Sequence, residues 1–172
     1  MNSSLKKLTL QVSIAALYVV LLFIFQPLSF SGIQFRIAEV LLVLVLFYPK
    51  YSVGILIGTF LGNLLMSPYG FPDAAFGTLA SGIAIGIMIP IRKLWYLALS
   101  APVLINAIII PIVILNVLIG EDMSFTQLLG SSAYWILFAQ VGGGQLVVLY
   151  GLGIPFYLTI NKNDYLKNQL AI

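Results

Sequence analysis

The chain has 172 residues, of which 61% are hydrophobic and only 8% charged, with a formal net charge of +3. A soluble domain carries about 25% charged residues, so this composition excludes a water-soluble globular fold. The apolar runs are long enough to cross a bilayer as helices, which satisfy their backbone hydrogen bonds internally. We therefore expect an all-α membrane protein, and the scattered basic residues do not indicate nucleic-acid binding.

Turn residues and isolated charges divide the chain into six predicted transmembrane helices, forming one compact domain over residues 1–172 without linkers. The second is short for a bilayer crossing, which takes about 20 residues. We expect Pro102 and Pro111 to bend the fifth. The first has no A-x-A-like cleavage site at its end, so we interpret it as a retained span rather than a signal peptide. The predicted spans cover residues 8–26, 36–48, 52–66, 74–90, 94–118 and 129–158.

The charges agree with six crossings and cytoplasmic N- and C-termini. Under that arrangement Asp73, Glu121 and Asp122 fall outside, and Arg36 is the one basic residue that departs from the positive-inside rule. The basic residues on the predicted cytoplasmic side are Lys6, Lys7, Lys50, Arg92, Lys93, Lys162 and Lys167.

The stretch IQFRIAEVL places two charges beside a strongly apolar run. Arg36 and Glu39 are three residues apart, so they share a face of the second helix. An ionisable group at membrane depth is costly and usually faces the protein interior or a wet cavity. One interpretation is a structural ion pair between the two. The other is a ligand pocket open to the outside, in which the carboxylate accepts from an N–H and NH2 edge.

Polar residues also surround the predicted loop SPYGFPD. Asn63 lies in an apolar helix end, where its amide needs a partner. Tyr69 and Asp73 belong to turn-forming pairs with Gly70 and Pro72. Asp73 precedes the fourth predicted helix, so it is either that helix's N-cap or part of a site.

The last two predicted spans carry further polar candidates. Asn106 lies between two prolines, where its amide can bond to freed backbone carbonyls or face a ligand. Trp135 is either an interfacial anchor or a stacking platform. Gln145 lies deep in an apolar run and needs a partner. Gln140 precedes three glycines, 142–144, that permit close approach of a ligand or a helix.

Small residues form stripes on three of the predicted helices. Such stripes allow close helix packing, which we expect within the chain, with a second subunit as the alternative. The stripes comprise Gly54, Gly58 and Gly62 on the third helix, Gly82 and Gly86 on the fourth, and Thr9, Ser13, Ala15 and Ala16 on the first.

Several absences narrow the function. The chain has no cysteine and no histidine, which excludes disulfides, thiolate chemistry and metal sites built on those residues. It has no phosphate-binding G-x-x-x-x-G-K-[ST] motif and no nucleophile–base pair. We therefore expect neither an enzyme nor a bound cofactor.

Four stretches of the chain together resemble the QueT family. They are IQFRIAEVLLVLVLFYPKYSVGILIGTFLGNLL, SPYGFPDAAFGTLASG, PVLINAIIIP and GQLVVLYGLGIP, and the resemblance extends over about residues 8–158. It implies a six-helix substrate-binding S-component of an energy-coupling factor (ECF) transporter in the cell membrane. Such a subunit captures a queuosine precursor, a 7-deazaguanine such as preQ0, preQ1 or queuine. A transmembrane coupling protein and two ABC ATPases would supply the energy.

The resemblance also suggests residue roles. Glu39 would accept from the N–H and NH2 edge of the deazaguanine, and Arg36 would orient Glu39 or close the outer loop. Tyr69 or Trp135 would stack on the ring. The other polar edge of the ligand would be read by Asn63, Asn106 and Gln145.

Two positions depart from the family pattern. Members commonly have a glutamate where this chain has Gln145, and the change favours a neutral ligand such as preQ0, or a different base, over cationic preQ1. The Ala-x-x-x-Ala pattern that contacts the coupling protein is replaced here by Thr9-x-x-x-Ser13, beside Ala15 and Ala16.

Three other functions remain as alternatives. An S-component for another nucleobase or vitamin would use the same kind of pocket. An intramembrane enzyme acting on lipid would need Glu39 or Asp73 as an essential acid–base group. A structural scaffold would leave the buried polar residues without a small-molecule partner.

Overall fold

The computed structural model describes residues 3–31, 33–118, 120 and 123–171, and every regular element within those ranges is helical. Glu121 and Asp122, which the charge distribution assigns to the outside, are not among them. The main helices are α1 (Ser3–Ile24), α2 (Ile37–Phe47), α3 (Ser52–Met66), α4 (Phe71–Ile91), α5 (Ser100–Val113), α6 (Ser132–Leu146), α7 (Gly153–Lys162) and α8 (Asp164–Leu170).

Short or irregular turns extend these helices. Short helical turns cover Gln26–Ser29, Pro49–Tyr51, Trp95–Ala98 and Phe125–Gly130, and π-helical turns cover Ile114–Leu118 and Val147–Leu152. In the described part of the chain, four stretches are long and apolar enough to cross a membrane: Leu5–Ile24, Phe71–Ile91, Trp95–Asn116 and Ser132–Lys162. These coincide with four of the predicted spans. The segments α2 and α3 are shorter, the latter with 15 residues.

The hydrogen-bonding pattern changes beside both prolines of the fifth predicted span. A break at Leu99 separates Trp95–Ala98 from α5, and Pro102 cannot donate the N–H that would bond to Ala98. After Pro111, the N–H of Ile114 is shared between the carbonyls of Ile110 and Pro111, and π-helical turns begin. The prolines therefore interrupt the regular α-helix at the expected places.

The short helix α2 lies in the centre of the molecule. It begins as a 3₁₀ turn over Ile37–Leu42 and continues as an α-helix, and residues 41–46 are all buried. It packs against α1, α4, α7 and the Val147–Leu152 turns. A helix that is apolar on every side is stable only when it is surrounded, which explains the uninterrupted run LLVLVLF.

The glycine stripe on α3 allows close packing against α1. A Cβ on Gly54 would lie 2.7 Å from the carbonyl oxygen of Gln11, and one on Gly58 would lie 2.7 Å from Cβ of Tyr18. Gly62 faces Leu22 at the same spacing, 2.7 Å. The predicted packing within the chain is confirmed for these three glycines.

The second glycine stripe, on α4, behaves differently. A Cβ on Gly82 would meet only Leu56, at 3.9 Å, and one on Gly86 would meet nothing within 4 Å. Gly86 is exposed. Close packing within the chain therefore does not explain the glycine at position 86.

The first turns of α1 and the last helix, α8, lie at one end of the bundle, which we call the termini end and define by Lys7, Lys50, Tyr51, Tyr157 and α8. The Tyr48 hydroxyl donates to the carbonyl of Lys167 at 3.0 Å, and the Tyr51 hydroxyl donates to that of Leu170. Burial raises the pKa of Tyr51 to about 12, so this hydroxyl remains a donor. These bonds hold the C-terminal helix, part of the predicted polar tail, against the bundle.

Stacked aromatic rings reinforce the termini end. The rings of Phe47 and Tyr157 stack with centroids 4.8 Å apart, and those of Trp95 and Tyr157 with centroids 4.3 Å apart. The Lys50 ammonium lies 5.1 Å from the centroid of the Tyr48 ring. The ends of α2 and α7 and the turn before α5 are thereby joined.

Candidate functional site

Buried polar side chains gather toward the opposite end of the bundle. We call this group the distal cluster and define it as Arg36, Glu39, Asn63, Asp73 and Gln145. Each is at most 4% exposed. They come from the start of α2, the end of α3, the start of α4 and the last turn of α6. Residues distant in the sequence therefore converge, as the polar-site prediction requires.

Arg36 forms its ion pair with Asp73, at 3.4 Å between Nη2 and Oδ2. Of the two interpretations of Arg36 and Glu39, the structural ion pair between them is therefore wrong, because the guanidinium pairs with Asp73 on α4. The guanidinium carbon of Arg36, Cζ, also lies 5.6 Å from the centroid of the Phe30 ring. The pair joins α2 to the start of α4 and neutralises both charges where water is excluded.

Asp73 is not the N-cap of its helix. The helix α4 begins two residues earlier, at Phe71, after Gly70, which adopts a φ of +58° that suits glycine. Asp73 is then the third residue of the helix, where a negative charge interacts favourably with the helix dipole. Its carboxylate is free to bind Arg36, so the cap interpretation is corrected.

Glu39 has one satisfied oxygen. The hydroxyl of Tyr18 donates to Glu39 Oε1 at 2.8 Å, and the side chain of Thr59 in turn contacts that hydroxyl. Gln145 adjoins the same carboxylate from α6. Sequence reasoning missed Tyr18, although a tyrosine hydroxyl in the middle of an apolar helix needs a partner and was a usable signal.

Asn63 is placed against the ion pair. Its Nδ2 donates to the backbone carbonyl of Asp73 at 3.3 Å. A Cβ on Gly77 would lie 2.7 Å from Asn63 Nδ2 and 3.7 Å from Arg36 Nη1. Gly77, which the sequence did not single out, therefore leaves the space that the amide and the guanidinium occupy.

Several buried polar atoms of this region have no hydrogen-bond partner. A buried donor or acceptor without a partner costs about 1–3 kcal/mol, so such atoms are rare unless a ligand or water satisfies them. Among the described residues they are Arg36 Nε, Glu39 Oε2, Asn63 Oδ1, Thr78 Oγ1 and Gln145 Nε2. All but Thr78, which follows Gly77, belong to the distal cluster.

The loop before α2 covers this site. A Cβ on Gly144 would lie 2.1 Å from the carbonyl oxygen of Ile33, so only glycine allows the loop to rest on α6. Gln34 takes a φ of +51°, which is unusual for a residue other than glycine. Of the three consecutive glycines, Gly144 meets this loop, Gly142 faces Ala107, and Gly143 has open space.

A small cavity adjoins the cluster beneath this loop. Its volume is about 100 Å³, and it is lined by Phe30, Ser31, Gln34, Tyr69, Ile114 and Leu137. Phe30 also contacts Arg36, and Gln34 contacts Gly144, next to Gln145. Tyr69, one of the predicted stacking residues, is 41% exposed and lies on the cavity wall.

Three other predicted site residues make different contacts. Asn106 is buried on α5, next to Ala107, which packs on Gly142. Gln140 is half-buried on α6. Trp135 is 50% exposed and donates its indole N–H to the carbonyl of Leu129 at 2.8 Å. That geometry suits the interfacial anchor, and ligand contact by these three residues stays a prediction.

The predicted coupling residues divide between two faces of α1. Thr9, Ser13 and Ala16 are exposed, whereas Ala15 is 6% exposed and packs near Gly58 of α3. Thr9 donates its hydroxyl to the carbonyl of Leu5 at 2.9 Å. Ala15 and Ala16 both line an apolar groove between α1 and α3. Their role in coupling stays a prediction.

Comparison with known proteins agrees with a membrane protein. Searches among curated proteins and among solved structures give no match. The family model described as QueT transporter matches residues 8–162, which is most of the chain. The protein therefore belongs to the QueT transporter family.

Proposed function

We propose that this protein is the substrate-binding S-component of an ECF importer that takes up a queuosine precursor, a 7-deazaguanine such as preQ0, preQ1 or queuine. The single observation that carries the proposal is the set of unpartnered polar atoms in the distal cluster. Donors at Arg36 and Gln145 and acceptors at Glu39 and Asn63 suit a flat ligand with both donor and acceptor edges. The family membership supports transport.

The proposal includes six crossings of the cell membrane and cytoplasmic termini. The segments α2 and α3 would then cross together with the four longer stretches. The shared position of Lys7, Lys50 and Lys167 at the termini end supports this orientation under the positive-inside rule. Because the chain has no cysteine, the orientation can be tested with two single-cysteine variants, Ser67→Cys and Asp164→Cys, and a thiol reagent that does not cross the membrane. We expect only Ser67→Cys to react in intact cells, and the reverse would contradict the orientation.

Ligand binding requires the outer loop to move. The cavity of about 100 Å³ is too small for a drug-sized ligand, whose pockets measure about 300–1,000 Å³. The loop contact at Gly144 and the Arg36–Asp73 pair both hold the site closed. We propose that the ligand enters when Ile33 and Gln34 lift from α6.

Isothermal titration of the purified protein against preQ0, preQ1, queuine and guanine tests the proposal. We expect tight binding of one deazaguanine. The ligand should be recovered chemically unmodified, because the subunit binds without catalysis. Glu39→Gln should weaken this binding by about 100-fold, the effect of losing a hydrogen bond to a charged group. The matched control is Asp164→Asn, an exposed carboxylate at the termini end. Unchanged affinity in Glu39→Gln would overturn the proposed pocket.

Co-purification tests the partnership. We expect the tagged protein, expressed with a transmembrane coupling protein and two ABC ATPases, to elute as one complex. Replacing Ala16 by Trp should disrupt that complex, because a bulky side chain would fill the exposed groove between α1 and α3. If the protein binds ligand but does not associate with the coupling protein and the ATPases, the binding function stands and the ECF assignment is wrong.

An S-component for another nucleobase or vitamin is the alternative. Gln145 stands where family members commonly have a glutamate, so the cluster has one carboxylate fewer to pair with a cationic group of a ligand. That charge balance favours a ligand without a cationic arm. Binding of guanine or another neutral base, with no binding of the deazaguanines, would favour this alternative.

A further inference from the structure

The apolar groove between α1 and α3 lies on the outside of the bundle. Its volume is about 570 Å³, within the range of ligand-sized pockets. Each helix contributes exposed side chains at a four-residue spacing, which form a ridge along one face of a helix. The ridge on α3 comprises Val53, Ile57, Leu61 and Leu65, and the ridge on α1 comprises Leu8, Val12, Ala16 and Val20. The groove is therefore a furrow between two apolar ridges.

The floor of the groove suits hydrocarbon. It is formed by Gln11, Ala15 and Val19, which are less exposed than the ridge residues. Gln11 is the one polar residue that lines the groove, and both ends of its amide already have partners. Its Nε2 donates to the carbonyl of Lys50 and its Oε1 accepts from the N–H of Gly54, both at 2.7 Å. A polar small molecule would therefore lose its hydrogen bonds to water here, whereas an alkyl chain has none to lose.

The length of the groove matches one leaflet of a bilayer. From Leu8 to Val20, the helix α1 rises about 18 Å. Because Gly54 faces Gln11 and Gly62 faces Leu22, α1 and α3 run side by side in the same direction over this length. The hydrocarbon layer of a bilayer is about 30 Å thick, so each leaflet contributes about 15 Å. A lipid acyl chain from one leaflet would therefore extend along the whole groove.

Positive charge flanks the groove at the termini end. Lys7 lies one turn before Gln11 on α1, and the carbonyl of Lys50 is bonded to Gln11, so both lysines adjoin the same end of the groove. Burial and the nearby charge of Lys7 together lower the pKa of Lys50, as expected for two neighbouring ammonium groups. At the other end, no charged residue lies within four positions of Val20 or Leu65 along the chain. An anionic group is therefore favoured at the termini end of the groove.

We propose that the groove between α1 and α3 binds one anionic phospholipid, with an acyl chain between the two ridges and the headgroup phosphate between Lys7 and Lys50. One phosphate shared by both ammonium groups relieves their mutual repulsion, and lysines near a membrane surface attract anionic lipids. This site is separate from the distal cluster and does not depend on the proposed substrate. The lipid occupies the uncomplexed subunit, since the proposed coupling protein would contact the same groove.

Native mass spectrometry tests the proposal. The purified full chain is released from nanodiscs that contain equal amounts of phosphatidylglycerol and phosphatidylcholine with identical acyl chains. We expect one retained phosphatidylglycerol molecule, favoured over phosphatidylcholine by about 30-fold, the effect of two lysines at a membrane surface. Retention of no lipid, or of the two lipids within about threefold of each other, would overturn the assignment.

Two lysine variants locate the headgroup. Lys7→Gln combined with Lys50→Gln should reduce the preference to within about threefold. Lys7→Gln alone changes an exposed side chain and should reduce the preference by about fivefold. This single variant is needed because Lys50 also contacts two tyrosine rings, whose loss of contact can affect folding. The matched control is Arg92→Gln with Lys93→Gln, which removes the same charge from exposed residues after α4. An equal loss in the control, or an unchanged preference in both lysine variants, would show that these lysines do not bind the headgroup.

Substitutions on the α1 ridge locate the acyl chain. Ala16→Trp fills the groove and should reduce the retention of both lipids by at least about 10-fold. Val12→Asp, at another exposed position of the same ridge, places a charge against the chain and should have the same effect. The matched control is Ala139→Trp, at an exposed alanine of α6. Thermal melting in detergent identifies a misfolded variant, in which case the other ridge variant decides. Wild-type retention in a folded ridge variant would place the lipid elsewhere and contradict the proposal.

Discussion

The two ends of the bundle treat buried polar groups in different ways. At the termini end, the hydroxyls of Tyr48 and Tyr51 donate to carbonyls of α8, and Gln11 bonds the carbonyl of Lys50 and the N–H of Gly54, both at 2.7 Å. In the distal cluster, Glu39 Oε2 and Gln145 Nε2 have no partner. Polar groups that hold the termini end together are satisfied within the chain, whereas some of those in the proposed binding site are left without a partner there.

The largest expected effect breaks the ion pair that closes the distal cluster. Asp73→Asn leaves the Arg36 guanidinium buried without its counter-charge, which should destabilise the protein by about 3–5 kcal/mol. Melting in detergent measures the loss. Asp164→Asn is the control, because its pair with Lys167 is exposed. The double variant Arg36→Met with Asp73→Leu should recover much of the lost stability. If it does not, Arg36 stabilises the fold by more than its pair with Asp73.

The second prediction tests the loop that covers the site. Gly144→Ala would place its Cβ against the carbonyl of Ile33, so either the loop or α6 must shift, at a cost of about 1–3 kcal/mol. Ligand affinity should fall as well. Gly143→Ala is the matched control, since no atom lies within 4 Å of its Cβ position. Equal effects at the two glycines would show that the loop contact does not determine closure.

A pair of tyrosine substitutions sharpens the comparison between the two ends. Tyr18→Phe and Tyr51→Phe each remove one hydroxyl donor, and each should cost about 1 kcal/mol of stability. Only Tyr18→Phe should weaken ligand binding, because its hydroxyl holds the Glu39 carboxylate. Titration calorimetry on both variants measures this, and a loss of affinity in Tyr51→Phe would contradict the division between the ends.

Much of the fold follows from sequence patterns. The predicted spans overlap the observed helices because apolar runs, prolines and glycines set helix boundaries locally, and the first four residues of the predicted loop SPYGFPD separate α3 from α4. The bounds differ by a few residues, and two of these matter. Because α4 begins at Phe71, Asp73 lies inside the helix rather than at its cap. The sixth predicted span contains a break at Ser131, before α6.

The site was only partly predictable. The five residues of the distal cluster could be found, since a charged or amide side chain in or beside an apolar run needs a partner, whereas Tyr18 was missed. The hydrogen-bond and ion-pair partners of these residues could not be predicted, because they depend on which helix faces are adjacent. Arg36 and Asp73 are 37 positions apart, and Tyr18 and Glu39 are 21 apart. Gly77 and Gly144 serve the site by lacking a side chain, which becomes evident only from neighbouring atoms.

The most direct measurement is the melting temperature of wild type and Glu39→Gln, each with and without preQ0. A buried carboxylate oxygen without a partner destabilises the empty protein, so we predict that Glu39→Gln melts at the same temperature or higher without ligand. At a preQ0 concentration above the dissociation constant of the wild type but well below that of the variant, ligand should stabilise the wild type and leave the variant almost unchanged, as mass action requires. A variant that melts far below wild type yet is still stabilised by preQ0 would show that Glu39 holds the fold and not the ligand.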